Sequence, residues 1–155
     1  MKGGLDTVDE KILTLMQSNA RITIKDIAAQ VYLSSPAVTA RIERLEKIGV
    51  IGGYHAQVNA SALGYRTKAF VNLDLDPVRK EEFYPFIRKE HNVVECNCIT
   101  GEYSMLIEVE FFNTDELDDF INRLQQFGHT RTQIVFSTSV EHRGVPVKRA
   151  EFVMR

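Results

Sequence analysis

The sequence contains no apolar run approaching the roughly 18 to 20 residues that a membrane-spanning helix needs. Its first residues, MKGGLDTVDEK, place acids where a secretory signal would carry its apolar segment. Both absences point to a cytoplasmic chain that works without a membrane. Cysteine is scarce: Cys96 and Cys98 are the only two. Standing two apart in a stretch that reads as a strand, they share a face and are poorly placed to bridge each other, which makes them reduced packing residues. No partner ligands accompany them, so neither a metal site nor a cofactor is expected. Catalytic signatures are missing too. His55, His91, His129 and His142 are scattered through different elements, and HExxH, GxSxG and a glycine-rich phosphate loop are absent. The sequence GEYSM around Ser104 lacks the flanking glycines of a nucleophile elbow, so no catalytic residue and no enzyme is expected. A formal net charge of -2 offers no global attraction for nucleic acid, and such a partner would have to be met by a local patch.

What is present first is a run of three short helices. Asp6 can cap the first, with Asp9 near the positive end of its dipole and Val8, Ile12, Leu15 and Met16 as the apolar stripe up to Asn19. Thr23 repeats the start signal for a helix of about two turns whose inner side is Ile24, Ile27, Ala28 and Val31. Ser34 then caps a third helix that carries Pro36 in its first turn and ends at Gly49. At about 100° per residue, Val38, Ile42 and Leu45 fall on one face of this helix, with Ile48 at its edge. The other face carries Pro36, Thr39, Ala40, Glu43, Arg44 and Lys47. A short helix, a tight turn, and a longer helix with small polar residues at its exposed start form the helix-turn-helix pattern. On that reading Ser35, Pro36, Thr39 and Ala40 approach base edges of double-stranded DNA, while Arg41, Arg44 and Lys47 reach phosphates. A plain three-helix bundle with a solvated charged face has the same periodicity, and at this level both readings stand.

From Val50 to Val58 the pattern turns extended, and residues 59 to 64 read as a turn leading out of a first domain. The order that follows is strand (68–75), helix (78–90), strand (93–100), strand (103–112), helix (115–127) and strand (131–140). Thr114 is the expected cap of the second of these helices, Leu117, Phe120, Ile121 and Leu124 its stripe, and Gly128 its stop. This is the split βαβ, ferredoxin-like order, with two helices on one face of a four-stranded antiparallel sheet. Met105, Ile107, Val109 and Phe111 alternate with Leu106, Glu108, Glu110 and Phe112. The second set gives a mixed, uncovered face suited to a second copy of the chain.

The chain resembles the leucine-responsive and asparagine-synthesis (Lrp/AsnC) regulators, also called feast/famine regulators. The resemblance lies in LDTVDEKILTLMQSNARITIKDIAAQVYLSSPAVTARIERLEKIGVIGGY, a turn ending in LG, and TGEY before a strand, covering Leu5 to Val140. It implies a helix-turn-helix at about Ile24 to Glu43, a ligand-sensing βαββαβ domain, homodimers built through sheet faces, and rings such as octamers. It further implies control of amino-acid metabolism, with an amino acid as effector at the loop Thr100, Gly101, Glu102, Tyr103 and Ser104. Two features depart from the family. Ser104 stands where an Asp is usual, and a neutral hydroxyl offers an ammonium group a weaker bond than a carboxylate does, so unmodified amino acids are expected to bind weakly. The first expectation is a loop that only packs dimers together; the alternatives are a loop that senses something other than a common amino acid, and rescue by Glu102, which is two residues away in extended backbone, shares its face and offers a substitute carboxylate. The tail 141–155 is also longer than the fold needs and carries Arg143, Lys148, Arg149 and Arg155.

The expected architecture is therefore α+β: a three-helix, winged-helix-like helix-turn-helix domain over 5–64, a ferredoxin-like βαββαβ effector and oligomerisation domain over 65–141, and a basic tail over 142–155. The expected function is a sequence-specific DNA-binding transcriptional regulator, modulated by a small effector or by its assembly state. The rival is a metabolite-binding or protein-interaction module without DNA binding.

Overall fold

The computed structural model describes residues 4–147. They divide into two compact units, one of residues 4–57 joined by 142–147, the other of 58–141. The boundary thus falls before the turn ending at Gly64, and the segment expected to be a separate tail belongs to the first unit. Lys148, Arg149 and Arg155 lie outside the described residues.

The first unit contains α1 (Thr7–Ser18), α2 (Ile24–Val31) and α3 (Ser35–Lys47). Each start is fixed by a side chain that accepts an otherwise unpaired N–H of the first turn. The Asp6 carboxylate accepts from Val8 and Asp9, while Asp9 accepts the Asp6 N–H in return, a reciprocal capping box. Thr23 accepts from Asp26, and Ser34 from Ala37, with proline in the first turn of α3. Ile12, Ile27, Ala28, Val31, Val38 and Ile42 form one buried cluster, and Leu5, Leu13 and Leu45 a second. Residues 50–58 carry no paired strand, although they read as extended.

The second unit is a four-stranded sheet in the order β2-β3-β1-β4, made of β1 (Thr67–Leu75), β2 (Val93–Cys98), β3 (Met105–Phe111) and β4 (Gly128–Ile134). Every neighbouring pair is antiparallel. Two helices, α4 (Lys80–Lys89) and α5 (Thr114–Leu124), complete the βαββαβ order. Ala69, Val71 and Leu73 of β1 and Ile107 and Val109 of β3 are fully buried, as are Phe83, Phe120 and Leu124 of the helices. At about 25 cal/mol per Å² of apolar surface, this core is the main source of the unit's stability. Asn113, not Thr114, caps α5, because its side chain accepts the Glu116 N–H. β4 ends well before the expected residue 140, because β1, its partner, begins at Thr67 and offers few carbonyls beyond the Val135–Lys68 bond. The opposite face of the sheet carries Phe70, Asn72, Leu106, and the Lys68–Glu108 ion pair.

Gly128 opens β4 opposite Leu75 with φ 155°, and a Cβ there would lie 1.9 Å from the Asp74 carbonyl oxygen. Gly128→Ala should therefore lower unfolding free energy by at least about 2 kcal/mol in urea denaturation. Gly101→Ala meets nothing within 4 Å despite its φ of 117° and should cost less, on the order of 1 kcal/mol. Equal losses would show that backbone conformation, not the clash, governs both positions.

Candidate nucleic-acid interface and effector loop

The outer side of α3 is set by what its inner side must bury. With Val38, Ile42 and Leu45 inward, Ser35, Pro36, Thr39, Ala40, Glu43 and Lys47 are exposed. The first turns of that surface are small: the Thr39 hydroxyl donates to the Ser35 carbonyl at 3.1 Å, and Ala40 ends at its Cβ. Backbone and short side chains can therefore come close to a base edge. Glu43 shares this exposed side, and its charge opposes a phosphate nearby. Lys47, in the last turn, favours the negative end of the helix dipole and leaves its ammonium in solvent.

Arg41 and Arg44 behave differently. Both were expected on phosphates, but the Arg41 Nη1 donates to Asp6 at 2.7 Å and to Asp9 at 2.8 Å. The Arg44 Nη2 lies 2.5 Å from the second Asp9 oxygen. The Asp9 side chain is wholly buried, whereas the Arg44 side chain remains 38% exposed, with other N–H groups open to a ligand. Burial pushes the Asp6 carboxyl up, but the Asp9 N–H, the Arg41 guanidinium and the Val8 N–H outweigh it and hold the carboxyl below its ordinary range. The same bonds to Asp6 and Asp9 raise the Arg41 pKa against the opposing effect of burial. Arg41 therefore fixes α3 against α1 first.

Asp9, expected only near the positive end of the α1 dipole, is the buried partner of both arginines. A carboxylate at the third helical position, matched by arginines three apart on α3, was the available signal. Tyr32 ends α2 in the left-handed conformation (φ 57°) and is 90% exposed in the helix-turn-helix turn, a position that no local pattern marks. The Lys11 ammonium lies 5.5 Å from the centre of the Tyr32 ring.

In the second unit, Thr100, Gly101 and Glu102 are exposed at the tip between β2 and β3, with Tyr103 and Ser104 half-buried. Ser104 does not present its hydroxyl to a ligand. Its Oγ accepts the Leu75 N–H at 2.9 Å and donates to the Leu73 carbonyl at 3.3 Å, tying the loop to the end of β1. The Tyr103 ring stacks on His129 with centres 6.4 Å apart. Among the described residues Glu102 makes no ion pair.

Residues 5–51 match the winged helix-turn-helix DNA-binding family, and residues 68–145 match the Lrp/AsnC ligand binding domain. The chain belongs to the Lrp/AsnC family. It is 31% identical to the HTH-type transcriptional regulator LrpA of Bacillus subtilis, over 84% of this chain and 97% of that protein. It is 30% identical to the regulator FL11 of Pyrococcus furiosus, over 96% of this chain and all of that one. Among solved structures, B. subtilis LrpC superposes with a TM-score of 0.84 at 25% identity, covering 89% of this chain and 99% of LrpC. The feast or famine regulatory protein of M. tuberculosis, complexed with L-methionine, gives 0.84 at 29% identity, with 91% of this chain and 98% of that one covered. This Lrp/AsnC protein is a DNA-binding transcriptional regulator, and no helix among its described residues is long and apolar enough to cross a membrane.

Replacing Asp9 by Asn keeps the shape and removes the charge that faces both guanidiniums. Asp9→Asn should destabilise the first unit by about 3 kcal/mol in chemical denaturation; a loss under about 1 kcal/mol would show that the two arginines find adequate partners without it. Asp6 has a folded pKa below its unfolded one, so it contributes stability above the ordinary aspartate range that is lost as pH falls through the folded value. Asp6→Asn retains a capping oxygen and should flatten the loss of stability below about pH 4. An unchanged acid limb in pH-dependent melts would remove Asp6 from that loss.

Proposed function

We propose that α3 reads DNA with Ser35, Pro36, Thr39 and Ala40 toward base edges in the major groove, while Lys47 and the free side of Arg44 hold phosphates. The observation that carries this reading is the arrangement of α3 itself. Its inner face is completely buried and pinned by Asp9, and its outer first turns hold nothing large between the backbone and solvent. Arg41 acts through the position of the helix.

One recognition helix makes few base contacts, so useful affinity needs two copies presenting their helices about one DNA turn apart to a near-palindromic site. The uncovered sheet face, with Phe70 and Leu106 beside the Lys68–Glu108 pair, supports pairing through that surface, and dimers assemble further into rings such as octamers. Control of amino-acid metabolism is the reading that fits the family, with the loop Thr100–Ser104 as the effector site. The L-methionine bound to the M. tuberculosis relative supports an amino acid as effector. Since the Ser104 hydroxyl is committed to β1, Glu102 is the loop carboxylate available to an ammonium group.

Selection of bound duplexes from a random pool, with and without each amino acid, tests the whole reading. Thr39 substitutions should change the selected sequence. Lys47→Ala should weaken all sequences alike and reduce the salt slope by about one unit. Selection of the same sequence by Thr39 variants would take base reading away from this helix. For the loop, calorimetry against a panel of amino acids should show binding that is lost in Glu102→Gln; binding indifferent to that change would place the effector elsewhere.

A further inference from the structure

Residues 142–147 return to the helix-turn-helix unit after the sheet is complete. Val147 packs against the cluster of Leu5, Leu13 and Leu45. The backbone at Gly144 passes so close to α1 that a Cβ there would lie 2.7 Å from the Gln17 amide carbon. Between this returning segment, the end of α1 and residues 50–57 lies an open cleft of about 830 Å³, wholly within the first unit. That volume falls in the range of small-molecule sites, roughly 300 to 1,000 Å³.

Apolar residues such as Met16 and Ile51 form part of the lining, but its formal charge is one-sided. Arg21 comes from the turn after α1, His55 from the segment after α3, and His142 and Arg143 from the returning chain, with no carboxylate among the lining residues. Glu46 stands behind Tyr54 and accepts its hydroxyl at 2.6 Å, so that acid is already engaged. Neither arginine has a salt-bridge partner among the described residues. Gly52 has open space where a Cβ would stand, whereas the His55 imidazole lies against Gly53, with Nε2 2.8 Å from the position of a Cβ. Two guanidiniums, each a planar fork of N–H donors, and two imidazoles along a space lined by no acid match a phosphate group better than a cationic ligand.

We propose that this cleft binds a phosphate group, with Arg21 and Arg143 as charged donors and His55 and His142 as flanking donors, and that the returning C-terminal segment completes the site. The phosphate has two possible sources, the backbone of the DNA that α3 reads or a free phosphate-bearing small molecule. The first source rests on the reading of α3 given above; the second does not.

The double variant Arg21→Gln/Arg143→Gln separates them in the full chain, because both side chains are exposed and outside the apolar clusters. Far-UV circular dichroism and thermal melting check that it folds like the native protein. If the phosphate belongs to DNA, the log–log salt dependence of binding to a random duplex falls by about one to two units in the double variant. If it is free, calorimetry in chloride buffer shows inorganic phosphate or pyrophosphate binding to the native chain and at least tenfold weaker binding to the double variant. An unchanged salt slope together with no binding of either anion overturns the proposal. A slope that falls in Lys47→Ala but not in the double variant sinks the DNA source and leaves the reading of α3 standing.

Discussion

The first unit depends on a single buried charge. The Asp9 carboxylate is removed from water, and an unpaired ion there would cost several kcal/mol, so the fold must bring donors to it. It receives the Asp6 N–H, the Arg41 Nη1 and the Arg44 Nη2. The two arginines stand three apart on α3 and so rise from the same side of that helix. Meeting both at once fixes the rotation of α3 and its position along α1. Apolar packing by Val38, Ile42 and Leu45 is non-directional and would tolerate a small rotation. The charge network would not, and the orientation of Thr39 and Ala40 toward solvent follows from it.

In the second unit the same role falls to alternation. A one-residue slip of β1 against β3 would carry Ala69, Val71 and Leu73 from beneath the helices to the open face and bring Lys68 and Phe70 inward. Register is therefore set by burial, and the open face is what remains. Its ion pair between Lys68 and Glu108, directly beside Phe70, keeps that face from being uniformly apolar. Such a mixture suits a surface that is wet in a single copy and covered in a pair.

Helix starts and the alternation of β3 were legible in the sequence because they are local: a cap lies within three residues of the group it satisfies, and a strand's faces repeat every two. Asp6, Thr23 and Ser34 were identified as caps for that reason, and Met105 to Phe111 as a core-facing strand. The roles of Arg41 and Arg44 were not legible, because their partners lie 35 residues or fewer back along the chain yet in another helix, and periodicity says nothing of which exposed charge finds which. The end of β4 was overextended for a related reason. FSTSV continues a strand-like composition, but a strand needs a partner, and β1, which runs antiparallel to β4, begins only at Thr67. The return of residues 142–147 left no trace in the pattern of any element.

Ser104, expected at an effector position, has a local role in the fold. Read along the chain, a serine in place of an aspartate is a lost charge for an effector. In the fold, the hydroxyl accepts the Leu75 N–H and approaches the Leu73 carbonyl, which also accepts the Ser104 backbone N–H at 3.1 Å. A neutral group that both accepts and donates can serve an N–H and a C=O at once, whereas an ionised carboxylate could only accept and would face the Leu73 carbonyl oxygen. The serine thus ties the β2–β3 hairpin to the end of β1. The exposed groups of the loop are then Thr100, Gly101 and Glu102, while the half-buried Tyr103 ring stacks on His129 of β4.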